Sequence, residues 1–224
     1  MVPPVDPRNP RRAFLGKAAA VAAVAGLGSM VPSELAAVAA VSSRSPDPKL
    51  DAWFGKITGK HKQVFDAPEP NSGMAAIWPR VYINTMNATY GEADGVSAVV
   101  ILRHGALGLA MNDSVWGKYN FGKVFNVNDA AGKPATANPY AKITNLPLPG
   151  LGVTELLKDG VLIGACDVAM TVYSSMVANS MKADPAEVRA EWVAALYPGI
   201  QLVPSGVMAV GRAQELGCAY CFAG

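Results

Sequence analysis

The residues with most chemistry to offer are three cysteines, Cys166, Cys218 and Cys221, in a chain with two histidines, His61 and His104. A thiolate attacks sulfur, ligates metals and exchanges disulfides. The odd count leaves at least one thiol outside any intramolecular disulfide. Cys166 follows Val161-Leu162-Ile163-Gly164-Ala165 and precedes a run with helical spacing. A helix N-terminus stabilises thiolates through its free N–H groups and its dipole. Asp167 opposes that effect by its own charge, or caps the helix. A small buried core residue is the other reading of Cys166. His104 closes the run Val96–Leu102 through Arg103, and could polarise a ligand, take a proton, pair with a thiolate, or bond a backbone carbonyl. His61 lies in Lys60-His61-Lys62 and reads as a solvated surface residue. Cys218-Ala219-Tyr220-Cys221 matches C-x-x-C, a redox or metal signature. On a strand, residues three apart point to opposite faces, and a metal needs more ligands than this chain readily supplies. Structural thiols are therefore expected there.

These groups need elements to position them. The spacing predicts a short helix near Trp53 and Phe54, and strands over Gln63–Asp66, Val96–Leu102, Val161–Ala165, Ile200–Val203 and Cys218–Phe222. Val96–Leu102 is continuously aliphatic apart from Ser97, as suits a strand covered on both faces. Helices are predicted over Met74–Tyr90 (weakened by Pro79), Leu107–Tyr119, Gly152–Lys158, Val168–Lys182, Asp184–Leu196 and Ser205–Leu216. Asp184-Pro185 has the N-cap and first-turn residues of a helix start. Asn126–Pro139 reads as a long irregular stretch that could cover a site. Strands alternating with helices imply α/β architecture: one three-layer domain with a mainly parallel central sheet flanked by helices. Ligands of such sheets sit at the carboxyl ends of strands, near a switch in strand order. Three strand ends carry capable residues there: His104, Cys166-Asp167, and Ser205 in Pro204-Ser205-Gly206.

The first forty residues have a different character. Pro10-Arg11-Arg12-Ala13-Phe14-Leu15-Gly16-Lys17 resembles a twin-arginine export motif. The apolar stretch Ala18–Met30 is too short to span a bilayer, which takes roughly 20 residues. Ala37-Val38-Ala39 offers a small-x-small cleavage site. The expected organisation is a twin-arginine (Tat) signal peptide over 1–40, a linker and N-terminal extension over 41–62, and the α/β domain over 63–224. The Tat translocase is then a transient partner, and the product is periplasmic or otherwise exported. The chain holds 19 Lys+Arg and 17 Asp+Glu. Four of the basic residues (Arg8, Arg11, Arg12, Lys17) and two of the acidic ones (Asp6, Glu34) lie in the first forty, so the remainder is charge-balanced. No basic cluster is left to neutralise a phosphate backbone, and nucleic-acid binding is not expected. Walker, G-x-G-x-x-G, G-x-S-x-G and H-E-x-x-H motifs are absent, so no cofactor or metal is implied.

Three stretches, taken together, resemble the DsrE/DsrF-like family of sulfur-relay proteins. They are Val161–Met170, with Cys166 and Asp167 opening a helix; Pro198–Val207, followed by an amphipathic helix and a short last strand; and Val99–Ala106, with its His-Gly turn. The resemblance spans roughly Gln63–Phe222. It implies a DsrEFH-like α/β domain that often oligomerises, with a persulfide on the cysteine at the strand-to-helix position, here Cys166. His104, Asp167 and Ser205 are then pocket residues, and a sulfur donor or acceptor protein is implied as partner. The chain departs from the pattern in its export signal, its 126–139 stretch, and Cys218 and Cys221. Three functions follow: an exported carrier of sulfane sulfur acting as a sulfurtransferase-like protein, a non-catalytic small-molecule or protein-binding module using the same edge, and a thiol–disulfide protein using Cys218 and Cys221.

Overall fold

In the computed structural model, which describes residues 47–91 and 95–224, five parallel strands form one sheet in the order β4-β3-β2-β1-β5. The strands are β1 (His61–Ala67), β2 (Val96–Leu102), β3 (Leu162–Cys166), β4 (Gln201–Val203) and β5 (Ala219–Phe222). Ala67 pairs with Leu102, Leu102 with Ala165, and Cys166 with Val203, so these strands end at nearly the same level. The α/β three-layer architecture expected from the alternating pattern is the one observed. The region 1–40 expected to be a signal peptide, and residues 41–46 of the expected linker, lie outside the described residues. Among the described residues, no helix is long and apolar enough to cross a membrane.

The helices are α1 (Pro48–Phe54), α2 (Trp78–Tyr90), α3 (Asp113–Trp116), α4 (Phe121–Val124), α5 (Val153–Lys158), α6 (Asp167–Met181), α7 (Pro185–Ala194) and α8 (Gly206–Glu215). Two apolar clusters sit on opposite faces of the sheet. Val64, Val99, Ile101 and Val203 meet Trp53, Phe54, Ala209, Val210 and Ala213 of α1 and α8. Phe65, Val100, Leu102, Ile163 and Ala165 face the larger layer, which includes Met170, Val177 and Trp192 of α6 and α7. The continuous aliphatic run of β2 follows from this: successive side chains alternate between two buried faces, and both must be apolar. In the larger layer Trp192 packs edge-on to Phe121 at 4.5 Å between ring centroids, and Phe121 in turn to Phe125.

Local signals explain several helix starts. The Asp184 carboxylate accepts from Ala186 N–H at 2.8 Å with Pro185 in the first turn of α7. Asp47 caps α1 in the same way. Other expectations need correction. The helix expected over Met74–Tyr90 begins at Trp78, behind a 3₁₀ turn over Asn71–Ala76. Pro79 lies in its first turn, where proline's missing N–H costs no hydrogen bond. The helix expected over Leu107–Tyr119 is a 3₁₀ segment (His104–Ala110) followed by α3, with Met111 extended between them. Gly108 is needed there, because a β-carbon would lie 2.6 Å from the Phe125 ring. The folded unit also begins well before residue 63. Trp53 and Phe54 are 5% and 2% exposed, and Gly164 leaves room for the Trp53 ring on the sheet.

Candidate functional site

The chain runs β1→β2→β3→β4 in one direction across the sheet and then crosses back to β5. Neighbouring strands β3 and β4 therefore send their helices to opposite layers, α6 into the larger and α8 into the smaller. That divergence opens the carboxyl edge between β3 and β4, the topological switch point where parallel sheets bind ligands. Cys166 ends β3 at this point, and Ser205 precedes α8 on the other side.

Cys166 is the N-cap of α6, and its Sγ accepts the Ala169 N–H at 3.4 Å. It is 6% exposed. The sulfur thus meets one of the free N–H groups that every helix start leaves. The first residue of α8 comes close from the other side. A β-carbon on Gly206 would lie 2.7 Å from Arg103 Cβ and 3.3 Å from Cys166 Cβ. Glycine there lets the start of α8 approach both β2 and β3. Gly206→Ala is expected to push α8 or Arg103 aside and to cost about 1–2 kcal/mol, read as a lower urea midpoint.

Arg103 is the feature sequence reading missed as a site residue. Its Nε and Nη2 donate to Asp66 Oδ1 and Oδ2 at 2.7 and 2.9 Å, and the Tyr220 hydroxyl donates to Oδ2 at 3.0 Å. Arg103, Asp66 and Tyr220 thus tie the ends of β2, β1 and β5 together. Burial alone would raise the Asp66 carboxyl. The hydrogen bonds from Arg103 and Tyr220 outweigh it and hold the carboxyl below its ordinary value. The bond to Asp66 pushes the guanidinium of Arg103 up, and Cys166 adds to this. A signal was available: a charged residue directly after the apolar run Ala98–Leu102, with an aspartate one residue before the end of the preceding strand.

The predicted site residues divide. Ser205 flanks the switch point but makes no capping bond with its side chain. His104 follows Arg103, is exposed, and holds φ at 45°, a conformation that histidine adopts more readily than most side chains. Asp167 is fully buried and ion-paired with Arg189, clamping α6 to α7 rather than opening to a ligand. Residues 126–128 of the long stretch line a different cleft, one without Cys166 in its wall. Among the described residues no group of His, Cys, Asp and Glu is arranged to hold a metal ion.

Cys218 belongs to the core cluster under α8, whereas Cys221 packs against the other layer. Both thiols are free, and burial pushes both up. Packing against opposite faces of the sheet opposes a disulfide between them. Thiol titration of the unfolded, unreduced protein is expected to find all three cysteines free; a Cys218–Cys221 disulfide would revive the redox reading.

No protein-family model matches the chain, and no curated protein matches it. A solved structure with some likeness is that of a protein of unknown function, MTH1491, from Methanobacterium thermoautotrophicum. It is 18% identical, with 72% of this chain and 98% of that chain covered and a TM-score of 0.38.

Proposed function

We propose that this chain is an exported sulfur-handling protein of the DsrE/DsrF-like kind, holding sulfane sulfur as a persulfide on Cys166. The observation that carries this reading is the seat of Cys166. Its Sγ takes the Ala169 N–H at the start of α6, at the switch point, with Arg103 alongside. A helix start with a cation close by is the kind of setting in which proteins place reactive cysteines.

The chemistry needs no external oxidant. The Cys166 thiolate attacks the terminal sulfur of a donor persulfide. A bond forms between Cys166 Sγ and that sulfur, the donor's own S–S bond breaks, and the donor leaves as a thiolate. An acceptor thiolate later takes the same sulfur and returns Cys166 to its starting state. The low exposure of Cys166 favours donors that present a terminal sulfur on a narrow stem. Sulfur donor and acceptor proteins, and self-association, belong to the same proposal. Export through the twin-arginine route is the remaining part, and it rests on Arg11-Arg12 and the Ala37-Val38-Ala39 cleavage site.

Intact mass of protein recovered from the cell envelope tests both halves. The mass should begin near Ala39, and exposure to a persulfide donor should add one reducible sulfur that Cys166→Ser lacks. The full precursor mass in that fraction would remove the cleaved-signal reading.

A further inference from the structure

A concavity without Cys166 in its wall lies on the carboxyl side of β1. It encloses about 530 Å³, within the roughly 300–1,000 Å³ typical of small-molecule pockets. Its wall is formed by Glu69 and Ser72 after β1, by Phe125, Asn126 and Asn128, and by Tyr140. The element order brings together segments more than fifty residues apart.

The cleft is built by glycines. A β-carbon on Gly105 would overlap the Glu69 carboxylate, and one on Gly73 would overlap the Tyr140 ring. Gly108 makes the same allowance for Phe125. Three lining side chains are thus seated directly on backbone that has been cleared for them. Gly73 also holds φ at 81°, in the region that favours glycine.

The lining chemistry narrows the ligand. Among the described residues, Glu69 is the one charged group in the wall, and no lysine or arginine joins it. Phosphates, sulfonates and carboxylates are therefore disfavoured. Asn126 and Asn128 each offer a donor pair and an acceptor, and the Ser72 hydroxyl offers both in one group. Vicinal hydroxyls match such pairs. A simple alkylammonium ion, by contrast, would leave the amide donors unmatched. The half-buried Tyr140 ring supplies a flat surface for the C–H face of a ring-shaped ligand, and a carboxylate favours an ammonium group beside the hydroxyls.

We infer that this cleft binds a monosaccharide-sized polyhydroxylated molecule without negative charge, with preference for one bearing an amino group. The site uses no residue of the proposed persulfide chemistry and stands independently of it.

The test is a ligand-observed NMR titration of the mature protein with glucosamine, with gluconate as its anionic counterpart. Saturable glucosamine binding is expected, with gluconate at least tenfold weaker. Glu69→Gln, an exposed substitution that leaves the fold intact by circular dichroism, is expected to weaken glucosamine about tenfold, the worth of one charge-assisted hydrogen bond. Cys166→Ser should bind as the unaltered protein does. The inference is overturned by any one of four results: no saturable glucosamine signal, equal binding of gluconate, full affinity in Glu69→Gln, or loss of binding in Cys166→Ser, which would place the probe at the other edge.

Discussion

Exposed to a persulfide donor, the protein is expected to gain one sulfur atom that dithiothreitol removes, and Cys166→Ser is expected to gain none. The effect is all-or-none because a hydroxyl does not form a stable bond to sulfane sulfur under these conditions. The substitution is also unusually clean. Cys166 is the N-cap of α6, and serine is among the preferred residues for that position. The variant should therefore fold, with the Ala169 N–H passing from sulfur to oxygen. Reversal by dithiothreitol matters because sulfinic acid adds nearly the same mass but resists reduction. An adduct that persists in Cys166→Ser would move the chemistry to Cys218 or Cys221. No adduct on a folded protein would end the carrier proposal and leave the binding module as the better reading.

Arg103→Ala is expected to lower stability by about 3 kcal/mol at neutral pH, because it strands a buried carboxylate. Asp66 is 4% exposed, and its two oxygens receive both guanidinium bonds as well as the Tyr220 hydroxyl. Removing Arg103 leaves that charge with the Tyr220 hydroxyl as its side-chain donor among the described residues, at the junction of three strands. The sign of the pH dependence follows from Asp66, whose folded carboxyl is held below its ordinary value of 3.8. A depressed carboxyl contributes stability that is present above the ordinary value and is lost as pH falls through the folded one. The gap between the unaltered protein and Arg103→Ala should therefore be full at pH 7 and should narrow below about pH 4. Urea unfolding across that range measures it. The double variant Asp66→Ala, Arg103→Ala should lose less than the two single losses combined, since neither partner is then left alone. A pH-independent gap would mean that Arg103 acts by packing its aliphatic stem, not by pairing.

The two results bear on each other. Arg103 stands next to both Asp66 and Cys166, so its loss should also slow sulfur loading on whatever protein remains folded.

Much of this was legible in the chain. The strand over Val96–Leu102, the helix start at Asp184-Pro185 and the placing of Cys166 between β3 and α6 depend on side chains within a turn or two of each other. Alternation, capping and the β-branched run report such short-range preferences directly. The parallel sheet followed as well, since helices between strands leave few other arrangements. Errors came where neighbours were distant. Leu107–Tyr119 has helical spacing, but Gly108 is claimed by the Phe125 ring and Met111 by a bridge to Leu196. Asp167 looked available beside Cys166, yet Arg189 takes its carboxylate from the next helix. The folded unit reached back to α1 because Gly164 makes a seat for Trp53 more than a hundred residues away.

By itself, then, the sequence determined the α/β alternation, the helix caps and the thiol at a strand end, because each is set by contacts close along the chain. Only the tertiary structure decided the strand order, the bond between Arg103 and Asp66 from neighbouring strands, and the meeting of Glu69 with Asn126 and Tyr140. Those depend on which strands lie side by side, and that choice is made by burying both sheet faces at once, a property of the whole core that no local pattern encodes.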